Sequence, residues 1–498
     1  MDREQLITGV RSVAGDVHAF SRALAPGRTL RSYQVPVARA VGESVQRGLG
    51  REYAAVFSRQ SGKDEMLAQL CAWLLWLYQR EGGSIVVALP ALRPQGIIAR
   101  DRLIDRLSNP LTRNLLRVRE GTIVELGQAS VRYLSAAPSA NSRGNTANLL
   151  LVANETQDID IDTWDAVFAP MAASSNSTTL FMGTVWTSTT LLARQLRLLA
   201  DLERRDGTQR RFLVPWPRVA EELPPYGDYV RRQMALLGEG HPFIRTEYEL
   251  RELDGNGGLF PPERREPMRG AFRPLSRPAL DDPPGTIYAF TIDVAGEEED
   301  GLEGAALRQA NPRKDSTAVS VIRVRPGDGQ MTRPIFEVVA RYEWTGARHT
   351  MLHDRIVNLT RQVWNAKKVV IDATGVGAGL ASFLNATLGE RVVTPFVFSS
   401  ASKSQLGWDL LGLIDAGRLQ VCTPGQDDDR EQVRLDTLFW KQVETCGYTV
   451  LPGPGKLMRW GVDDPRLHDD LLMSLALVTV LDREDWRPRE ARGSIAAG

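Results

Sequence analysis

Short apolar runs alternate with helical patterns over residues 1–195, and this alternation limits the folds open to the chain more than any other feature. The runs read AAVFSR, SIVVALP, TIVELG, VRYLS, NLLLVAN and TTLFMGT. Strands separated by helices form βαβ units, whose strands pair in parallel and whose ligands lie at the carboxyl ends of the strands. The pattern therefore predicts an α/β domain with a parallel-rich sheet.

The residue composition and the pattern of apolar runs change near residues 200 and 285. Arginine pairs and proline-rich pieces such as VPWP and DDPPG predict a lid subdomain and linker over 201–284. The runs TIYAFTIDVA, STAVSVIRV and PIFEVVARYEW then follow closely, which predicts an antiparallel meander, and a helix near 350–364 precedes the strand KKVVIDAT. We expect a first domain over 1–200, a second with a mixed sheet over 285–484, and a flexible tail over 485–498.

The composition is that of an ordinary globular protein. The chain has 498 residues, of which 43% are hydrophobic and 24% charged, so it is neither disordered nor fibrous. Lys+Arg and Asp+Glu both number 61, so the net charge is zero and any nucleic-acid site must be a local patch or channel.

The number of cysteines and the lengths of the apolar stretches indicate in which cellular compartment the protein is expected. The three cysteines are too few and too scattered for a disulfide framework or a CxxC metal site, which suits a reducing cytosol. The segment MDREQLITGV lacks a signal-peptide pattern. Apolar stretches such as CAWLLWLY are far shorter than the ~20 residues of a membrane span. We therefore expect an intracellular protein without a membrane partner.

The segment AAVFSRQSGKDEMLAQL predicts a strand, a loop and a helix, and the loop consists of Ser58, Arg59, Gln60, Ser61, Gly62 and Lys63. Gly62 would let the backbone approach a phosphate, Lys63 would place a charge on the β/γ oxygens, and the helix N-terminus offers N–H groups to an anion. Phe57 replaces the leading glycine of the GxxxxGK(S/T) pattern. A basic turn before an amphipathic helix is therefore the competing interpretation.

Two other strand ends fit a nucleotide site. The run NLLLVANET ends in Asn154 and Glu155, the layout of a Walker B strand that delivers a metal-side residue and a catalytic glutamate. The run TTLFMGT ends in Gly183 and Thr184, where a coupling motif would sense the γ-phosphate.

Two residues outside these strand ends complete the set. Gln34 in RSYQ resembles a glutamine that reads adenine, and Arg143, in the loop before the Walker B run, is a candidate arginine finger. An arginine in such a loop is also often simply solvated. Together, SRQSGK, LLLVANET and FMGT resemble the motor half of the large terminase subunit of tailed bacteriophages, in which an arginine-bearing Walker A loop replaces the glycine-led one.

Separated aspartates form a second constellation. Asp293 ends the run IYAFTID, Asp372 ends KKVVID, and Asp469 with Asp470 begins an apolar helix. Carboxylates at strand ends and a helix start can converge to hold two Mg²⁺ or Mn²⁺ ions, which activate a water and stabilise the leaving oxygen of a phosphodiester. Turn formation and helix capping are the alternative roles of aspartates at such positions.

The order of these elements resembles an RNase H-like nuclease, specifically the nuclease half of the same terminase family, in which HDD begins the last catalytic helix. The resemblance implies Asp293, Asp372 and Asp470 as metal ligands and catalytic residues, with Asp469 as a second member of the pair. A dinucleotide loop at GVGAG (375–379) is rejected because Leu380 breaks the GxGxxG spacing.

Two positions depart from an ordinary Walker ATPase. Asp64 follows Lys63, where a serine or threonine hydroxyl normally binds Mg²⁺, and Asn154 stands where the metal-side aspartate belongs. We interpret this as a compensating exchange in which Asp64 supplies the charge near the ATP-site Mg²⁺ that Asn154 gave up. A weakened or lost ATPase is the alternative.

The resemblance implies a P-loop (ASCE-type) ATPase domain followed by an RNase H-like nuclease domain. It implies a viral packaging motor that hydrolyses ATP with Mg²⁺ to move double-stranded DNA into a procapsid and cuts the concatemer with two Mg²⁺ or Mn²⁺. The expected partners are a portal protein, a small terminase subunit and further copies in a ring, in the host cytoplasm. A repair or recombination nuclease with a helicase-like ATPase, and an assembly scaffold, are the alternatives.

Overall fold

The protein is described by a computed structural model that covers residues 13–109, 112–140, 142–253, 256–295, 316–326, 333–425, 427–451, 457–462, 464, 467–484 and 486. These residues form two compact units, the first made of 13–237 and 242–253, the second of 238–241 and the described residues from 256 onward. The segment MDREQLITGV and, apart from Trp486, the predicted tail lie outside the described residues. The predicted division at 200, 284 and 484 stays a prediction.

The first unit is built on an eight-stranded sheet with the order β3-β4-β5-β2-β6-β7-β1-β8. Its strands are β1 (Glu52–Phe57), β2 (Gly83–Leu89), β3 (Leu116–Arg119), β4 (Ile123–Leu126), β5 (Ala129–Ser135), β6 (Leu150–Asn154), β7 (Thr178–Gly183) and β8 (Arg211–Val214). Six neighbouring strands pair in parallel, in the order β5, β2, β6, β7, β1 and β8. The strands β3 and β4 add an antiparallel edge beside β5. The predicted parallel-rich sheet is confirmed.

Ten helices belong to this unit in the part of the chain that the structure describes. They are α1 (Val17–Leu24), α2 (Val35–Gln46), α3 (Lys63–Tyr78), α4 (Ile97–Leu107), α5 (Ile161–Thr163), α6 (Pro170–Ala173), α7 (Leu191–Asp206), α8 (Trp216–Ala220), α9 (Pro224–Leu237) and α10 (Pro242–Glu247). After β6, the single residue Glu155 is followed by a 3₁₀ turn over Thr156–Asp158.

Strand residues of the first unit divide between two cores, one on each face of the sheet. In β1, Tyr53, Ala55 and Phe57 belong to one core, while Ala54 and Val56 belong to the other. Side chains alternate across a strand, so a strand buried on both faces reads as a continuous apolar run. This is why the sequence shows unbroken runs instead of alternation.

The helix after β1 is buried along most of its length. Residues 66–75 of α3 are all buried, and Trp73 packs so closely on α2 that a Cβ at Gly42 would lie 2.4 Å from its ring. Such packing fixes α3 against the sheet, and therefore fixes the position of Lys63 at its first turn.

The second unit contains a six-stranded mixed sheet with the order β14-β13-β10-β11-β12-β15. Its strands are β10 (Ile287–Asp293), β11 (Ser316–Arg325), β12 (Ile335–Thr345), β13 (Lys368–Asp372), β14 (Val393–Phe396) and β15 (Leu419–Val421). The meander from β10 to β12 is antiparallel, as predicted, and β13 pairs in parallel with both β10 and β14.

A small antiparallel sheet and seven helices complete the described part of this unit. The small sheet consists of β9 (Asn256–Gly258), β16 (Cys446–Val450) and β17 (Met458–Val462). The helices are α11 (Pro262–Met268), α12 (His349–Asn358), α13 (Gly377–Leu388), α14 (Ser400–Asp415), α15 (Arg430–Thr445), α16 (Asp470–Ala476) and α17 (Val478–Leu481). Among the described residues, no helix is both long and apolar enough to cross a membrane.

Candidate functional site

The loop between β1 and α3 is held by its own backbone and by two tyrosines. Ser61 Oγ donates a hydrogen bond of 2.6 Å to the Ser58 carbonyl, and Gly62 adopts a left-handed conformation (φ 92°) just before the helix. The hydroxyl of Tyr33 donates to the Ser61 carbonyl (2.8 Å), and that of Tyr226 donates to the Arg59 carbonyl (2.8 Å). The loop is thus preformed in front of the N–H groups of the first turn of α3.

Gln34 is buried against this loop. Its Nε2 donates to the Gly62 carbonyl at 2.8 Å, and its Oε1 accepts from the Arg31 N–H at 2.8 Å. The side chain is only 2% exposed. Gln34 therefore braces the loop in this structure, and its predicted role in reading adenine stays a prediction.

Lys63 and Glu155 form an ion pair, with 2.7 Å between Lys63 Nζ and Glu155 Oε1. Burial alone would lower the pKa of the Lys63 amine, but the carboxylates of Glu155 and Asp64 outweigh burial and raise that pKa above its ordinary value. Glu155 itself has a positive φ of 56°, a strained conformation for a residue with a side chain. The lysine of the phosphate loop and the glutamate after the Walker B run, both singled out in the sequence, are therefore in direct contact.

The two unusual residues of the phosphate site also meet. Asn154 Nδ2 donates to Asp64 Oδ1 at 3.2 Å, and Arg102 Nη1 lies 3.5 Å from the other carboxylate oxygen of Asp64. Asn154 uses its own Oδ1 to accept from the Glu155 N–H at 3.1 Å. The amide of Asn154 thus joins Asp64 to the backbone of Glu155.

The end of β7 approaches the same place through Gln157. Gln157 Nε2 donates to Glu155 Oε2 at 2.8 Å, while its Oε1 accepts from the Thr184 N–H at 3.3 Å. The side chain of Gln157 therefore connects Glu155 with the strand end that carries Gly183 and Thr184, the residues predicted as a coupling motif. Their coupling role itself stays a prediction.

These residues surround a cavity of about 650 Å³ at the carboxyl edge of the parallel strands. The lining residues are Arg28, Arg59, Gln60, Gly62, Lys63, Asp64, Glu65, Gln95, Arg102, Glu155, Gln157, Asp158, Thr184 and Glu247. The volume is in the range of small-molecule sites, and the mixture of cations and carboxylates suits a phosphate ligand accompanied by a divalent cation.

The two predicted arginines differ in their surroundings. Arg59 lines the cavity, and its Nη1 lies 3.6 Å from Glu247 Oε2. Arg143 is exposed on the turn that precedes β6 and lies outside the set of cavity-lining residues. Exposure is compatible both with an arginine finger that acts on a neighbouring subunit and with a solvated side chain.

In the second unit, Asp293 and Asp372 end two neighbouring parallel strands. The register pairs Ile292 with Ile371, so the aspartates stand side by side as the next residues of β10 and β13. Adjacent strands are about 4.8 Å apart, which brings the two side chains to one edge of the sheet. Asp372 also accepts a hydrogen bond of 2.8 Å from the Thr374 N–H.

The HDD segment brings further carboxylates to this edge. Asp470, the first residue of α16, is buried and accepts a hydrogen bond of 2.9 Å from the Ser316 N–H at the start of β11. Asp469 stands at the N-cap position of α16 but makes no side-chain capping bond, and Lys403 Nζ lies 3.7 Å from its Oδ2. The helix-capping alternative is therefore not what the structure displays at Asp469.

The aspartates interact electrostatically. Burial, followed by the charges of Asp470, Asp372 and Asp469, raises the pKa of Asp293 well above its ordinary value, and Lys403 opposes this shift. Burial also raises the pKa of Asp372, although the hydrogen bonds from Thr374 work in the opposite direction. Four carboxylates thus share one region with little positive charge to balance them.

The comparisons with known proteins bear on this second unit. Residues 307–433, which include Asp372 but neither Asp293 nor Asp470, match the family model described as Terminase RNaseH-like domain. These residues are therefore similar to the RNase H-like domain of terminases. The resemblance to terminases inferred from the motifs is confirmed by this match. No curated protein sequence matches the chain significantly.

Solved terminase structures are also similar to the chain at low identity. The large terminase of bacteriophage HK97 has 12% identity and a TM-score of 0.40, covering 93% of this chain and 99% of that chain. A large terminase of a thermophilic bacteriophage in complex with ADP has 9% identity and a TM-score of 0.42, covering 91% and 99%. The large terminase nuclease of phage G20c with bound magnesium has 22% identity and a TM-score of 0.31, covering 45% and 96%.

The donor chemistry of the RNase H-like domain fits divalent cations. Oxygen donors are the ligands that Mg²⁺ and Mn²⁺ prefer, and the raised pKa of Asp293 reflects burial together with repulsion from neighbouring carboxylates, which a cation would relieve. Within the described residues, however, no group of three or more His, Cys, Asp or Glu side chains is arranged so that it could hold a metal ion.

Sequence reasoning missed several residues of both sites. Gln157, Arg102 and Glu247 line the nucleotide-sized cavity, and Lys403 lies beside the aspartates. Gln157 directly follows the run NLLLVANET, so its place beside Glu155 was visible as a local pattern. The other three come from distant elements, and their patterns resemble those of any polar surface.

The burial of Asp293 and the charge repulsion around it predict an unusual stability change. A carboxylate whose pKa is raised in the folded state stabilises the fold fully only below its unfolded pKa of about 3.9, and this contribution is lost as the pH rises through the folded pKa. In EDTA at neutral pH, Asp293→Asn should therefore raise the melting temperature, by roughly 2–4 °C for each kcal/mol relieved. Calorimetry between pH 4 and pH 8 measures this difference, which should grow with pH.

The exposed Asp281→Asn in the same unit is the matched control and should leave the melting temperature unchanged. A melting temperature of Asp293→Asn equal to or below that of the wild type across this range would contradict the raised pKa of Asp293, with its causes in burial and neighbouring carboxylates.

Proposed function

We propose that the protein is the ATP-hydrolysing and DNA-cutting motor subunit of a viral packaging machine. The observation that carries the proposal is the presence, in one chain with a terminase RNase H-like domain, of a nucleotide-sized cavity built around Lys63 and Glu155. ATP hydrolysis in the first unit would drive double-stranded DNA into a procapsid, and the second unit would cut the concatemer. A portal protein, a small terminase subunit and a ring of identical chains in the host cytoplasm are the partners and setting of this function.

In the first unit, Lys63 and Arg59 would bind the phosphates, and Gln34 would act near the base. A bound triphosphate competes with Glu155 for the ammonium of Lys63, because both are anions within reach of the same cation. Once separated from Lys63, Glu155 can orient and polarise the attacking water. Arg143, exposed before β6, would stabilise transferred charge on the ATP of a neighbouring subunit.

Asp64 and Asn154 would together form the metal-side part of this site. Their contact of 3.2 Å, in which the Asn154 amide nitrogen donates to the Asp64 carboxylate, supports the exchange hypothesis because it places the Asp64 carboxylate beside the position where the metal-side aspartate usually stands. A divalent cation bound there would neutralise charge that develops on the phosphates. The exchange keeps one carboxylate in the site and moves it from β6 to α3.

In the second unit, Asp293, Asp372 and Asp470 would hold the nuclease cations, with Asp469 as an outer member. Bound Mg²⁺ or Mn²⁺ would activate water and stabilise the leaving oxygen of a phosphodiester. The chain's own contribution is the orientation of the carboxylates: Thr374 fixes Asp372, and the Ser316 N–H fixes Asp470.

The ATPase assignment predicts that Lys63→Ala and Glu155→Ala each abolish ATP turnover while the protein stays folded. Lys63 supplies charge to the phosphates and Glu155 orients the water, so both act in the transition state. Glu155→Ala should still bind nucleotide. A phosphate-release assay and circular dichroism measure these effects, with the exposed Lys441→Ala as control. Near-normal hydrolysis by either site variant would refute the assignment.

The exchange hypothesis predicts a compensating pair. Asp64→Ser and Asn154→Asp should each lower kcat by at least about tenfold, because each alone changes the charge beside the cation. The double variant restores an ordinary serine–aspartate pair and should recover most of the activity. Steady-state ATPase measurements on the four proteins test this. Harmless single changes, or a double variant as poor as the worse single one, would contradict the exchange.

The nuclease assignment predicts that Asp293→Asn, Asp372→Asn and Asp470→Asn each abolish plasmid nicking, and that Asp469→Asn has a milder effect. Nicking should require Mg²⁺ or Mn²⁺ and stop with EDTA, whereas the aspartate variants should hydrolyse ATP normally. The exposed Asp281→Asn is the control. Full nicking by any of the first three variants would exclude that residue from the site.

A further inference from the structure

Gln157 is a buried side chain that lies between two parts of the candidate ATP site. It is 6% exposed and lines the cavity. Its Nε2 donates to Glu155 Oε2 at 2.8 Å and lies 3.4 Å from an oxygen of Asp158, while its Oε1 accepts from the Thr184 N–H at 3.3 Å. Both ends of the amide are therefore used, one on the carboxylate and one on the strand end.

Gly183 leaves the space that this arrangement requires. A Cβ at Gly183 would lie 2.1 Å from Gln157 Oε1 and 3.2 Å from Gln157 Cδ, distances that displace the amide. The φ of Gly183 is not in the left-handed region, so the glycine is not needed for the backbone conformation. The absent side chain is therefore what admits Gln157.

A second contact keeps the same two segments together. Thr156 Oγ1 donates to the Met182 carbonyl at 3.0 Å and accepts from the Met182 N–H at 3.1 Å. Asn154 and Met182 are also paired in the β6–β7 register. The backbone on either side of Glu155 is thus tied to β7 independently of Gln157, so loss of the Gln157 side chain should leave the sheet intact.

We propose that Gln157 is a positioning residue that orients Glu155 for ATP hydrolysis and links it to Thr184 at the end of β7. This inference rests on the proposed ATPase function. When a triphosphate takes Lys63 from Glu155, the Gln157 amide still holds one oxygen of the carboxylate and keeps its orientation. A shift of Thr184 moves the amide, and therefore the carboxylate.

The experiment is a double-mutant cycle of Gln157→Ala and Gly183→Ala, followed by ATP turnover and equilibrium binding of a non-hydrolysable ATP analogue. Each single variant should lower kcat by up to about 100-fold, because each misplaces Glu155, while the affinity for the analogue stays near that of the wild type. The double variant should be no slower than the slower single one, since the added methyl group then meets no amide. Gln157→Glu should also be slow, because it replaces the donor to Glu155 by a second carboxylate.

Gln128→Ala, an exposed glutamine of the same unit, is the matched control and should keep the wild-type kcat. Multiplicative losses in the cycle, a wild-type kcat for Gln157→Ala, or a loss of analogue binding equal to the loss of kcat would overturn the proposal. These failures leave the proposed function standing as long as the wild-type chain hydrolyses ATP and Lys63→Ala does not. A wild-type chain without ATPase activity would instead refute the proposed function.

Discussion

Parallel pairing of β6, β7 and β1 brings the segments that follow three strands to one edge of the first sheet. The loop before α3, the residues after Asn154 and the end of β7 are distant in sequence, yet they line one cavity because parallel strands all finish on the same side. The same constraint acts in the second unit, where β10 and β13 are parallel and end in Asp293 and Asp372.

The balance of charges at the edge of each sheet then determines the pKa values of the buried groups there. In the first unit, the ammonium of Lys63 is matched by Glu155 and Asp64, so burial does not deprive it of its proton. In the second unit, Lys403 is the cation found to oppose the effect of three neighbouring aspartates on Asp293, and the balance remains unfavourable. The first site pairs the charge of Lys63 with carboxylates, while the second brings like charges together.

Side-chain amides organise the first site around these charges. Gln34 braces the phosphate loop, Asn154 joins Asp64 to the backbone of Glu155, and Gln157 joins Glu155 to Thr184. An amide carries both a donor and an acceptor, so one neutral side chain can satisfy a carboxylate and a backbone group at once. A charged residue in the same positions would repel one of its two partners.

The sequence by itself predicted the strands β1, β2, β4–β7 and β10–β13 and the positions of Lys63, Glu155, Asp293 and Asp372, because an apolar run that ends in a polar residue or leads into a loop and a helix is a local pattern. The tertiary structure decided which distant residues meet them. Arg102 reaches Asp64 from α4, and Lys403 reaches Asp469 from the first turn of α14, through packing between elements that no local pattern encodes. It also decided the contacts of Gln34, because only the fold determines that its amide bonds the backbones of Gly62 and Arg31.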